Sequence, residues 1–140
     1  MTTTAAQTQP KPVPEPDDVS REFFDGAKRG ELMLSRCNDC HAWLHPAAPV
    51  CTECMGNDLA WVKASGRGTV FTFGVMHQFY HPGFTNELPY NVAIVELEEG
   101  PRLNSNLVNI ANEDIAVGMK VKAVFVDQGG GVFIPKFEPA

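Results

Sequence analysis

No run of apolar residues in this 140-residue sequence approaches the roughly 20 needed to span a bilayer, so it does not read as a helical membrane protein. Met1 to Pro16 lacks an apolar h-region; nothing routes the chain for export, and the expectation is a cytoplasmic protein. Cations are in deficit. Eleven Lys and Arg against 17 Asp and Glu leave a formal net charge of −6, which counts against broad nucleic-acid binding, because that binding draws its affinity from Lys and Arg neutralising phosphates. The first sixteen residues have no aromatic side chain and carry Pro10, Pro12, Pro14 and Pro16 among Thr and Gln, a composition that cannot offset its own ordering entropy and predicts a mobile arm. Cysteine is scarce too: four residues, with no fifth left over to serve as an acyl-accepting nucleophile.

What the chain does have is enough for one domain, or one domain with a small appended module, at an ordinary 44% hydrophobic content. The four cysteines form Cys37-x-x-Cys40 and Cys51-x-x-Cys54, two knuckles separated by ten residues. Each CxxC turn aims two sulfurs at a common centre, and two such turns complete a tetrahedron around one zinc. Paired at metal spacing in a chain without an export signal, they favour thiolates over disulfides. A closed four-cysteine site leaves no open position for water or substrate, so the zinc is expected to be structural. His41 and His45 lie between the knuckles, but four cysteines already satisfy the metal, placing both histidines on the surface or behind the ligands.

Asp17 or Asp18 can cap a helix with Val19, Phe23, Phe24 and Ala27 on one stripe, Lys28 and Arg29 in its last turn and Gly30 beyond. The phenylalanines suit docking on a partner or on the main body. Leu32 and Leu34 alternate with polar neighbours over Glu31 to Arg36, a short strand leading into Cys37. From Ser65 the chain becomes short strands between turn residues: 69–75, 92–97, 102–108, 121–126 and 132–134. Five strands with glycine-marked corners suit a small closed barrel of the OB type. The expected fold is therefore mostly β: an arm over 1–16, a helix and four-cysteine zinc ribbon over 17–63, and a five-stranded OB-fold-like barrel over 64–140.

The order and spacing of several segments resemble a known family. They are Phe23-Phe24, Leu34-Ser35-Arg36-Cys37, Pro49-x-Cys51, Trp61, Ser65-Gly66-Arg67-Gly68-Thr69-Val70, Pro82-Gly83-Phe84, Pro89-Tyr90-x-Val92-Ala93, Gly100-Pro101-Arg102, Gly118-Met119 and Pro135-x-Phe137. The family consists of proteins in which a rubredoxin-like zinc ribbon precedes an OB fold, associated with acyl-CoA metabolism and made alongside thiolase-like enzymes. At Asn91-Val92 this chain departs from the more hydrophobic pair such proteins often carry. The resemblance implies a non-catalytic accessory subunit, in a hetero-oligomer with a thiolase-superfamily partner that performs thiolysis, condensation or retro-aldol cleavage. The coenzyme A thioester would be a ligand shared with that partner. Some relatives join hydratase-like subunits instead, so a subunit of an acyl-CoA hydratase complex is an alternative. A single-stranded nucleic-acid-binding protein is another, since ribbons and OB folds both serve that role, although the acidic balance opposes it.

Within this frame, His77, Phe79, Tyr80, His81 and Phe84 form a polar and aromatic loop between the first two barrel strands, where OB folds bind ligands, and are candidates for ligand or partner contact. Arg67, between Gly66 and Gly68 and near Lys63, could grip a CoA phosphate, the plain alternative being a solvated charge. Tyr90 could stack on a base or simply anchor the start of a strand. None of these is expected to be catalytic.

Overall fold

The computed structural model describes residues 10–140, so the part of the expected arm that falls on residues 1–9 lies outside the described residues. Helix α1 spans Arg21–Arg29. Its N-cap is Ser20 rather than Asp17 or Asp18. Asp17 instead works one step earlier: its Oδ1 accepts from the Val19 and Ser20 N–H groups and from Ser20 Oγ, while the Asp17 N–H donates back to Ser20 Oγ. These bonds, those to Ser20 foremost, hold the Asp17 carboxyl below its ordinary pKa. Gly30 ends the helix in the left-handed region at φ 83°, its N–H returning to the Ala27 carbonyl, as the sequence predicts.

Three strands make the ribbon, β1 (Met33–Cys37), β2 (Trp43–Leu44) and β3 (Leu59–Lys63), antiparallel in the order β2-β1-β3. Strand β1 is buried on both faces. Met33 lies under Gly26 of α1, where any side chain would collide with it, while Leu34 belongs with Leu32 to the core of the barrel. The ribbon is thus rooted in the main core at one end and reaches away from it at the other. Two-residue β2 is too short to leave a period in the sequence, and was not foreseen.

Strands β4 (Arg67–Met76), β5 (Tyr90–Leu97), β6 (Arg102–Ser105), β7 (Lys120–Gly129) and β8 (Val132–Pro139) form one antiparallel sheet in the order β6-β5-β4-β7-β8. Gly68 allows β4 and β5 to approach, since a Cβ there would stand 2.6 Å from the Glu96 carbonyl oxygen. The sheet curls until its two edges meet. Val108 N–H donates to the Phe137 carbonyl, Phe137 N–H to the Asn106 carbonyl, and Leu107 bridges Phe137 in parallel. Pro135 and Pro139 are tolerated in β8 because it is an edge strand. Inside lie Val70, Ala93, Val95, Leu97, Leu103, Leu107, Val121 and Phe137.

Asn91 is a structural member of this closure. It is buried, yet its Nδ2 donates to the Leu107 carbonyl at 2.9 Å and to Asn112 Oδ1 at 3.1 Å, and its Oδ1 accepts the Leu107 N–H at 2.6 Å. The side chain therefore takes the place of a neighbouring strand for Leu107, the residue through which the barrel closes. Asn91→Leu preserves bulk but orphans the Leu107 N–H and carbonyl. The expected loss is about 2–6 kcal/mol, from roughly 1–3 kcal/mol for each of the two unsatisfied groups, and urea denaturation checks it.

Candidate metal centre and ligand-facing surfaces

The two knuckles are built alike. In the first, Cys37 N–H donates to the Ala42 carbonyl and the Cys37 carbonyl accepts from His41; in the second, Cys51 N–H donates to the Gly56 carbonyl and the Cys51 carbonyl accepts from Met55. His41 and Met55, each just after the second cysteine of its pair, both adopt φ 65°. A non-glycine residue in this region costs about 1–2 kcal/mol, and its repetition at equivalent positions marks a geometry imposed by the sulfurs. Gly56 sits close to the site: a Cβ would meet Asp39 Oδ2 at 2.9 Å and Cys54 Sγ at 3.3 Å, so a side chain there would displace the Asp39 carboxylate.

All four Sγ atoms lie within 4.8 Å of one another, with Cys37 to Cys54 and Cys40 to Cys51 at 3.6 Å. Zinc–sulfur bonds of about 2.3 Å in a tetrahedron place sulfurs about 3.8 Å apart, so the donor set fits the ion. Neither His41 nor His45 joins the group; both are exposed, and His45 Nδ1 sits 3.0 Å from the Pro46 carbonyl.

Electrostatics also calls for a cation. The Cys54 and Glu53 N–H groups and the Cys40 thiol bring Cys51 down to about 7, against opposition from burial. At Cys54 the Gly56 N–H acts to lower the pKa, but the thiols of Cys37 and Cys40, together with burial, push it up to about 12. Cys40 is raised as well: the Ala42 N–H lowers it, and burial and the Cys51 thiol outweigh that. Four such thiols shed their protons together only around a positive ion.

The candidate contact residues fall into two groups at opposite ends of β4. Arg67 opens the strand and lines a 340 Å³ groove with Lys63 and Lys122. Each of these cations faces a carboxylate: Arg67 to Glu98 at 3.9 Å, Lys63 to Glu31 at 3.9 Å and Lys122 to Glu138 at 3.7 Å. Beyond the far end of β4 come His77, Phe79 and Tyr80, all exposed, Tyr80 at 79%. The ten residues of β4 at about 3.3 Å each set the groups roughly 30 Å apart along the strand. His81 caps a 3-10 turn over Pro82–Glu87, its Nδ1 accepting the Gly83 N–H at 3.0 Å. Its ring meets Phe84 edge-on at 6.2 Å, and Phe84 packs on Tyr90 at 5.5 Å. His81, Phe84 and Tyr90 therefore form one row, which Arg67 does not join.

The sequence did not point to the larger of these hollows. A 490 Å³ groove, mostly apolar, runs between α1, the loop joining the knuckles and the β6 and β8 edges, with Phe23, Phe24, Pro46, Leu103, Ile134 and Pro135 among its walls. Phe23 also packs against the barrel core. The paired phenylalanines on so short a helix were the one available signal. No helix among the described residues is long and apolar enough to cross a membrane.

Comparison with known proteins agrees with this geometry. Residues 24–60 match the ChsH2 rubredoxin-like zinc ribbon domain, and residues 61–126 the ChsH2 C-terminal OB-fold domain. The chain is 39% identical over 132 residues to a probable enoyl-CoA hydratase alpha subunit of Thermomonospora curvata; that stretch is 94% of this chain but 40% of that protein. It is 37% identical over 108 residues to a DUF35 domain-containing scaffold protein of Methanocaldococcus jannaschii, covering 76% of each. Among solved structures, the Ltp2-ChsH2(DUF35) aldolase contains a chain that superposes with a TM-score of 0.81 at 38% identity, over 91% of this chain and 98% of that one. The protein belongs to the ChsH2/DUF35 family, in which a four-cysteine zinc ribbon leads into an OB-fold domain.

Proposed function

We propose that the protein is a non-catalytic accessory subunit of an acyl-CoA-processing complex, acting in the cytoplasm beside a thiolase-superfamily enzyme and helping to position and shield the CoA thioester. The observation that carries this reading is the likeness, over 91% of this chain and 98% of that one, to a chain of the structure named Ltp2-ChsH2(DUF35) aldolase. All four thiols of the chain are gathered in the knuckles, so an acyl-accepting nucleophile of thiolase type comes from the partner. His77, Phe79 and Tyr80 form the partner contact in this scheme, exposed aromatic groups being typical of interface anchors. Arg67 takes a phosphate of the CoA by exchanging its long contact with Glu98 for a bidentate one. His81, Phe84 and Tyr90 brace the partner loop from behind. A hydratase partner is the second reading, favoured by the name of the Thermomonospora curvata relative, of which this chain matches only a part.

Co-expression with a thiolase-superfamily enzyme from the same organism is expected to yield a complex of fixed stoichiometry by size-exclusion chromatography. Tyr80→Ser is expected to weaken it about ten-fold or more. A complex with a hydratase subunit alone moves the assignment to the second reading, and a complex with neither removes both.

A further inference from the structure

Residues 10–16 form neither helix nor strand, yet they meet the barrel at several places. The backbone of Pro10 and Lys11 crosses Gly83 so closely that a Cβ there would stand 2.7 Å from the Lys11 N, the Lys11 Cα and the Pro10 carbonyl oxygen. Val13 Cγ2 comes within 3.0 Å of the corresponding position on Gly129, in the β7–β8 hairpin. Lys11 Nζ pairs with Glu87 at 2.6 Å and stands 5.8 Å over the Phe84 ring. Pro14 forms part of the wall of the 490 Å³ groove.

This seat is cut to its occupant. It offers glycine where the backbone crosses, space at the hairpin for Val13, and both a carboxylate and an aromatic face for Lys11, the one cation of the segment. The sequence predicts a mobile arm here, but over residues 10–16 proline at every second position restricts the free chain and lowers the ordering entropy that these contacts must offset. On β8, burial and the Lys11 charge keep half-buried Lys136 below the ordinary lysine range, while the Glu87 charge works the other way.

We propose that residues 10–14 are a built-in strap seated on the Pro82–Glu87 turn and the β7–β8 hairpin. Seated, it fastens the turn and occupies the face of Phe84 that a ligand or partner protein could otherwise reach. A molecule that grips this face must lift the strap first. The inference does not depend on which enzyme the protein serves.

Gly83→Ala is the direct test. The Gly83 backbone lies outside the left-handed region, so alanine suits the turn itself, and the three atoms nearest to its Cβ all belong to the strap. In the zinc-loaded full-length protein, the heteronuclear NOEs of the Lys11 and Val13 amides should match those of the barrel strands. In Gly83→Ala they should fall to free-chain values, with exchange of the Phe84–Glu87 amides accelerated about ten-fold or more. Glu87→Gln, which alters only charge, should produce the same loosening to a smaller degree. Free-chain values at Lys11 and Val13 in the unsubstituted protein overturn the proposal, as does a Gly83→Ala variant in which neither quantity changes.

Discussion

Cys51→Ala is expected to abolish tight zinc binding and melt the outer half of the ribbon while the barrel stays folded. The far end of the ribbon has almost no core of its own: its buried cluster is Cys37, Leu44 and Cys51, with Ala42, Ala48 and Leu59 alongside, and two of the three buried members are ligands. Structural zinc contributes about 10–16 kcal/mol of apparent binding free energy in small zinc domains, which rivals the whole stability of an ordinary domain, roughly 5–15 kcal/mol. Nothing else at that end approaches it. Leu32 and Leu34, by contrast, belong to the barrel core and should remain docked. Metal analysis should fall from one zinc per chain to none, and the His41, Cys51 and Met55 amides should lose protection from exchange while those of β5 keep theirs. Retained zinc, or unfolding of the whole chain as one unit, would contradict this account.

The same site fixes the sign of the pH dependence. Zinc needs four thiolates, and every proton bound to a thiol competes with it. Cys51 at about 7 is half ionised at neutral pH, whereas Cys54 at about 12 and the raised Cys40 hold their protons until the metal displaces them. Binding near pH 7 therefore releases protons, and affinity falls as pH falls through 7 and below. Competition with a chromophoric chelator between pH 5.5 and 8 reads the slope directly.

The metal centre was legible in the sequence because its chemistry is local: two CxxC turns place their own sulfurs, with little help from the rest of the fold. The five barrel strands were legible as elements from their residues and turns, and the resemblance agreed on architecture. Which face each strand turns inward was less so. Phe71 and Phe73 stand two apart in a run that reads as one alternating strand, so period-two counting puts them on the same face. A register shift between Val70 and Thr72 breaks the count, leaving Phe71 exposed at 44% while Phe73 packs on the core. Asn91 was unreadable for a related reason, since its partners at Leu107 and Asn112 arrive only when the barrel closes. The candidate contacts divided because Arg67 opens β4 and His77 follows its last residue, so the full length of the strand separates them.

Phe137→Ala is expected to be the most damaging single change inside the barrel, costing about 3–5 kcal/mol. Phe137 is 0% exposed and heads the fully buried side chains by volume. It also sits where the sheet closes: its backbone exchanges hydrogen bonds with Asn106 and Val108, and it bridges Leu107. A cavity at that point removes packing from both edges at once, and a closed barrel has little freedom to collapse into it. At about 3–4 °C per kcal/mol for a chain of this size, the midpoint of thermal unfolding should drop by roughly 10–20 °C under saturating zinc. Phe71→Ala provides the contrast. That ring lies on the outer face with the Arg102 guanidinium 3.7 Å above it, an exposed cation–π contact of about 0.5–1 kcal/mol, so its midpoint should move by only a few degrees. Equal shifts for the two variants would place the core elsewhere than inside the curl of the sheet. A large difference between them follows only from this register, in which one phenylalanine closes the barrel and the other covers its outside.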